Sequence, residues 1–203
     1  MNKFKKMVTL LALFIAIFAL GNLIASASTT ELSKEQKLKY YKQYEEIVSE
    51  INSGNPNSSL ELGPFADFNS EDFIKPSEFK KYAIERSNIE FNIVSDSNTS
   101  ITPFSIKTVK SNGASVAVTI NGFFNTQYSD VHKRQMFSGI NSITTKTSKG
   151  KWTKSTSSGY SARLLDGGRT YEITVSGTIT INNLSSSHNI VVEFYCNANG
   201  SVS

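Results

Sequence analysis

The sequence predicts a mainly β protein: a seven-stranded antiparallel β-sandwich of immunoglobulin-like architecture, preceded by an N-terminal arm of two helices. Three observations lead there. From Arg169 to Ile181, Tyr171, Ile173, Val175, Gly177, Ile179 and Ile181 alternate with Thr170, Glu172, Thr174, Ser176, Thr178 and Thr180, the period of a strand with one dry and one wet face. The triplets Ser111-Asn112-Gly113, Ser148-Lys149-Gly150 and Asp166-Gly167-Gly168 are turns of hairpin type that divide residues 104–203 into short stretches. Helical spacing is confined to the chain before residue 94, which removes α/β enzyme folds.

The first 27 residues read as an export signal. Lys3, Lys5 and Lys6 are followed by an uncharged run from Val8 to Leu20, a break at Gly21-Asn22 and the small-residue cleavage site Ala25-Ser26-Ala27. No later stretch is long and apolar enough to span a membrane, so no stable insertion is expected once the signal is cut. Residues 28–101 hold 8 basic and 13 acidic side chains, residues 102–203 hold 10 and 4, so the two parts complement each other in sign. The charge left after removal of the signal is close to neutral, which together with export disfavours nucleic acid as a partner. A single cysteine, Cys196, permits no intramolecular disulfide, as suits a bacterial exported protein; its plainest place is the core after Phe194, with an intermolecular bridge or reactive thiol as the alternative.

The arm covers residues 28–94. Ser33 and Gln36 make a capping box for a helix to about Asn52, with Leu38, Tyr41, Tyr44, Val48 and Ile51 on one stripe. Its lysines come first and its glutamates last, against the helix dipole, so the stripe needs something to pack on. Residues 60–74 read as extended or single-turn pieces anchored by Phe65, Phe68, Phe73 and Ile74. Pro76 then opens a second helix, with Phe79, Tyr82, Ala83 and Arg86 along one side, ending near Ser87-Asn88. Ile89, Phe91 and Ile93 alternate as a short strand, and residues 95–103 are a Ser/Thr/Asn linker.

The β domain, residues 104–203, offers strands at 104–110, 114–123, 135–147, 151–157, 160–165, 169–181 and 189–195. Gly177 marks an expected bulge or bend that lets one strand serve both sheets, and residues 125–133, with His132, form the longest polar loop and a candidate binding edge. A second polar loop precedes Asn189. The wet face of the 169–181 strand carries Thr and Ser with Glu172 as its only charge, so the Tyr- and Phe-rich arm is its expected cover, through Tyr41, Tyr44, Phe65 or Phe79.

Catalytic chemistry finds little support. His188 stands eight residues before Cys196 on one strand, too far to meet it, and His132 could do so only without an orienting third group. Zinc lacks ligands, G-x-S-x-G is absent, no glycine loop leads into a helix, and Asp130, Asp166, Glu172 and Glu193 are the only carboxylates of the β domain. No cofactor, metal site or enzymatic activity is expected. The suggestive feature is a basic hairpin, Lys146, Lys149, Lys151 and Lys154 around Trp152: a surface for an anionic polymer, headgroup or glycan, or else edge-guarding lysines around a core tryptophan.

The run from Leu38 to Val48, Leu60-Glu61-Leu62-Gly63-Pro64-Phe65, Phe73-Ile74-Lys75-Pro76-Ser77-Glu78-Phe79, and the stretches 160–171 and 191–196 resemble small secreted proteins of Gram-positive bacteria without assigned activity. The resemblance implies export and a helical arm paired with a β domain, and carries no catalytic residue across. Two functions fit. One is an exported non-catalytic module, extracellular or wall-associated, that binds a protein or cell-envelope polymer. The other is a secreted effector or toxin-like protein whose acidic arm is a removable pro-segment.

Overall fold

Two antiparallel sheets, of five and four strands, pack face to face, and two helices extend the cover of the larger one. The computed structural model describes residues 31–56, 58–94, 103–112 and 116–203; the stretch expected to be an export signal and most of the expected 95–103 linker lie outside them. The elements run α1 (Lys34–Gly54), β1 (Leu60–Leu62), single 3-10 turns at Phe65–Asp67 and Ser70–Asp72, α2 (Pro76–Ser87), then β2 (Phe91–Val94) and β3 (Phe104–Ser111). There follow β4 (Ala117–Ser129), β5 (Arg134–Thr147), β6 (Lys151–Lys154), β7 (Tyr160–Leu165), β8 (Thr170–Ile181) and β9 (Leu184–Tyr195). The five-stranded sheet has the order β1-β9-β8-β6, with β7 also on β8; the four-stranded sheet has the order β2-β3-β4-β5.

Among the described residues the strands number nine rather than seven, because the arm contributes two. β1 pairs with β9 and β2 with β3, so the arm supplies an edge strand to each sheet. Each sheet otherwise uses strands consecutive in sequence, unlike the interleaved strand order of immunoglobulin domains. Lys34 to Ser203 is one compact unit.

β8 and β9 pair without interruption from Thr170–Tyr195 to Ile181–Leu184. Their connection is only Asn182-Asn183, both at positive φ (48° and 58°), the geometry of a tight two-residue hairpin that asparagine tolerates. The expected polar loop before Asn189 is therefore strand, its serines alternating between faces. Residues 125–133 are likewise mostly strand: β4 runs to Ser129, β5 starts at Arg134, and only the tip turns. Two irregularities in the β4–β5 register, where Ser138 and Asn141 have no opposite residue, keep Phe137, Ile140 and Ile143 against the core. Asp166-Gly167-Gly168 behaves as its composition predicts, with all three residues at positive φ between β7 and β8.

Ser148-Lys149-Gly150 makes no hairpin. β5 belongs to the smaller sheet and β6 to the larger, so this turn is the corner where the chain changes sheets. β6 and β7 lie end to end along β8, facing residues 177–180 and 170–175, and the residues between them loop out opposite Ser176. That excursion ends β6 at Lys154 rather than at Ser157.

One hydrophobic core fills the sandwich. Val109, Val118, Ile120, Phe124 and Phe137 of the smaller sheet meet Ile173, Val175, Ile179, Ile190, Val192 and Phe194 of the larger. Phe124 is its aromatic centre, with ring centroids 4.9 Å from Phe137 and 5.0 Å from Phe194. Cys196 is buried in this core as a free thiol. A second cluster lies under the helices, where Tyr44, Val48, Phe79 and Ala83 close on Leu60 and Leu184. Tyr44 stacks on Phe79 at 4.0 Å and its hydroxyl donates to the Ile74 carbonyl. Leu38, expected on the buried stripe, is 45 % exposed, and Tyr40 and Ile47 take part in its place.

The arm thus meets the β domain, through Tyr44 and Phe79 against Leu184, but not on the face expected. Leu184 pairs with Ile181 and Ser186 with Ile179, so they share the inner face of the larger sheet. The helices continue the layer formed by the smaller sheet. The Thr- and Ser-rich outer face stays uncovered, and its side chains bond in pairs across the strands: Thr178 with Ser187 at 3.1 Å, Thr180 with Ser185 at 2.7 Å, Ser176 with Asn189 at 2.6 Å.

Gly177 is not a bulge, since the register with β9 runs straight through it. A Cβ there would stand 2.4 Å from the indole of Trp152 and 2.7 Å from the Thr153 carbonyl. The glycine makes room for the ring. Gly177→Ala is expected to destabilise the fold by about 1–3 kcal/mol through overpacking, measured by urea denaturation. The penalty should shrink in a Trp152→Ala background; an equal penalty in both would show that the ring is not the obstacle.

Candidate functional site

The two hydrophobic clusters meet along a polar seam. α2 places Phe79, Ala83 and Arg86 on its buried side, at a spacing of three and four residues, so that the last of them lies across the inner face of the larger sheet. Arg86 is 3 % exposed. Its Nη2 donates to the Ile179 carbonyl at 3.0 Å and to Ser186 Oγ at 2.8 Å. Ser186 Oγ is in turn 2.7 Å from His188 Nε2. Ser186 Oγ accepts from the guanidinium and keeps both its own proton and a second lone pair for the imidazole, so the direction of that second bond follows the His188 tautomer. The row Arg86, Ser186, His188 is a continuous chain of hydrogen bonds.

Burial pulls the His188 pKa down to about 4, and the Arg86 charge adds to the effect. The ring also meets Phe91 edge-on at 5.1 Å, so the arm flanks it from the smaller sheet as well. Tyr82, one turn before Arg86 on α2, donates to the Ile181 carbonyl at 3.1 Å, and its own pKa is raised by burial. Burial likewise lowers the Arg86 pKa, partly offset by Tyr82 and Glu85. Among the described residues Arg86 has no salt bridge to a carboxylate, and its Nε and Nη1 are buried without a hydrogen-bond partner. Beside it opens a cavity of about 350 Å³ lined by Tyr82, Glu85, Arg86, Val116, Lys149, Ile181 and Asn182.

The basic residues singled out in the sequence do not gather on one face. Lys146 stands on the outside of the smaller sheet opposite Thr119, and Lys151 on the outside of the larger opposite Thr180. Lys149 lines the cavity next to Arg86, and Lys154 reaches the Ser158 carbonyl at 3.5 Å. Trp152 turns inward, packs on the sandwich core and lies over Gly177, its Nε1 buried without a hydrogen-bond partner among the described residues. The segment is a corner between sheets, and consecutive residues there point in opposite directions.

Cys196 and His132 are likewise kept apart in environment: the thiol is in the core, its pKa raised by burial, while His132 sits exposed on the β4–β5 turn. Among the described residues no group of three His, Cys, Asp or Glu side chains is placed to hold a metal ion, and no helix is long and apolar enough to cross a membrane. Arg86 had a visible signal, a cation on the apolar side of a short helix. Ser186 and His188 had none, because they fell in a stretch that reads as a polar loop.

No family model, curated protein or solved structure matches this chain.

His188 gives the site a pH signature. The imidazole takes its proton near pH 6.5 in the unfolded chain but only near pH 4 in the fold. Between those values the unfolded state binds more protons, so His188 contributes a loss of stability as the pH falls from 6.5 towards 4 and no further change below. Urea midpoints across this window should drop more steeply for the wild type than for His188→Gln, whose uncharged amide can still hydrogen-bond Ser186. Parallel profiles would show that His188 titrates normally.

Proposed function

We propose that the protein is an exported, non-catalytic binding module that acts at the bacterial cell surface or in the medium, with its helical arm a permanent part of the working molecule. The leader of residues 1–27 supports export. The observation that carries the reading is the sharing of both sheets between arm and β domain: β1 and β2 are edge strands of different sheets, and α2 delivers Arg86 to the seam. A removable pro-segment leaves behind a domain that can stand alone. Taking this arm away strips one strand from each sheet and uncovers Leu184 and Ser186, both at most 3 % exposed. The unmatched guanidinium beside an open cavity supports holding a ligand over reacting with one, since neither Cys196 nor a second histidine stands beside it.

A protease site engineered into the 95–103 linker tests the arm. Cutting should give two fragments that co-purify in native conditions, and residues 104–203 expressed alone should unfold. A stable, monomeric 104–203 fragment that gains an effector activity would establish the pro-segment reading instead. Incubating the intact protein with cell-envelope fractions should retain a partner that the unfolded fragment does not.

A further inference from the structure

We infer that β2 is a self-association edge: two copies of the chain pair their β2 strands antiparallel about a two-fold axis at Asn92, joining their smaller sheets into one. This goes beyond the binding role proposed above and does not rest on it. The other sheet edges among the described residues are covered or guarded. β1 is three residues long, and the Asn52 amide takes both the N–H of Leu60, at 3.0 Å, and its carbonyl, at 2.8 Å. Lys151 and Lys154 occupy the short β6, and the chain loops out before β7. The start of β5 donates to the Ala198 and Gly168 carbonyls, at 3.2 and 2.9 Å, its middle is broken by the two register irregularities, and its end turns the corner into β6. β2 has none of these devices. Phe91–Val94 is uncharged and, among the described residues, pairs with β3 alone.

The register decides how a second strand adds. The Asn112 N–H donates to the Glu90 carbonyl at 3.0 Å, so Glu90 and Asn112 form a hydrogen-bonded pair, and by alternation Asn92 and Val94 also turn their backbone groups to β3. The Ser111 N–H donates to the Val116 carbonyl at 3.0 Å, on the β4 side, as this alternation requires. The N–H and C=O groups of Phe91 and Ile93 therefore point away from the sheet. A second β2 with Asn92 opposite its own copy sets Phe91 against Ile93 of the second copy, and Ile93 against Phe91, so all these outward groups find partners. The side chains agree with the same register. Ile93 shares the inner face with its mate Val109, yet is 56 % exposed where Val109 is 1 % exposed. Pairing lays it beside Phe91 of the second copy, a residue packed on the sandwich core. No like charges meet: Glu90 falls opposite Val94, and the two Lys110 residues, each beside Asn92, stand three strand spacings apart, about 14 Å. This self-complementarity selects a second copy over an unrelated strand. So short an edge gives a weak, concentration-dependent dimer.

Asn92 is exposed, so Asn92→Cys leaves the fold intact, and the register brings its two thiols together across the axis with Cβ atoms about 4.5–5.5 Å apart, close to what a disulfide spans. Mild oxidation under native conditions should give cross-linked dimers on non-reducing gels. The wild type, whose Cys196 is buried, should give none, nor should Val94→Cys, whose two copies stand about 14 Å apart in this register. In sedimentation equilibrium the wild-type mass should rise towards that of a dimer over a roughly hundredfold range of concentration. Ile93→Lys should stay monomeric with an unchanged urea midpoint, and should suppress cross-linking when combined with Asn92→Cys. The inference is overturned if Asn92→Cys cross-links no faster than Val94→Cys, or if its cross-linking survives Ile93→Lys. A chain that stays monomeric, yet loses an envelope partner on Ile93→Lys, would overturn it in favour of a foreign strand on the same edge.

Discussion

The structure depends on a mismatch of length. The β8–β9 hairpin carries two twelve-residue strands in unbroken register, and a single inner face runs from Phe194 at one end to Leu184 at the other. Ile190, Val192 and Phe194 lie against the smaller sheet, whereas Leu184 lies against the helices. An apolar strand face of this length has to be covered throughout. The chain meets this with two layers from different parts of the sequence, set side by side on one sheet. The arm therefore completes the sandwich.

Where two covers abut, side-chain packing is hardest to close, and here the gap is filled by polar groups. Arg86, Ser186 and His188 form a row across the junction, with Tyr82 at its margin. This arrangement couples the layers directionally: a guanidinium from a helix bonds both a strand carbonyl and a strand hydroxyl, so the helix cannot slide along the sheet without breaking both. The exposed salt bridge between Lys80 and Glu50, at 2.8 Å, ties the two helices together but is worth little by comparison.

Much of the fold was legible because period and turn chemistry are local. The alternation of β8, the Asp166-Gly167-Gly168 turn and the Pro76–Ser87 helix are each set by residues within a dozen positions of one another. What was not legible required knowledge of a distant partner. Gly177 looks like a bend until Trp152 is placed on it, and Leu184–His188 looks like a loop because its inward residues include Ser186 and His188, whose reason to be buried is Arg86, 100 residues away from Ser186. Lysines around a tryptophan read as a patch until the chain is seen to change sheets at Lys149 and Gly150. The same holds for the covered face: composition shows that the arm needs a surface, and only the register of β8 with β9 shows which one.

The break between β6 and β7 bears on how the molecule behaves in company. Together they form the outer rail of the larger sheet, but the excursion after Lys154 divides that rail into pieces of four and six residues. Lys151 and Lys154 occupy the shorter piece, and the opposite rail, β1, is only three residues long. A strand from another molecule finds no long uncharged template on either side of this sheet. The lysines that suggested a binding patch are placed where they discourage strand-to-strand self-association at this edge.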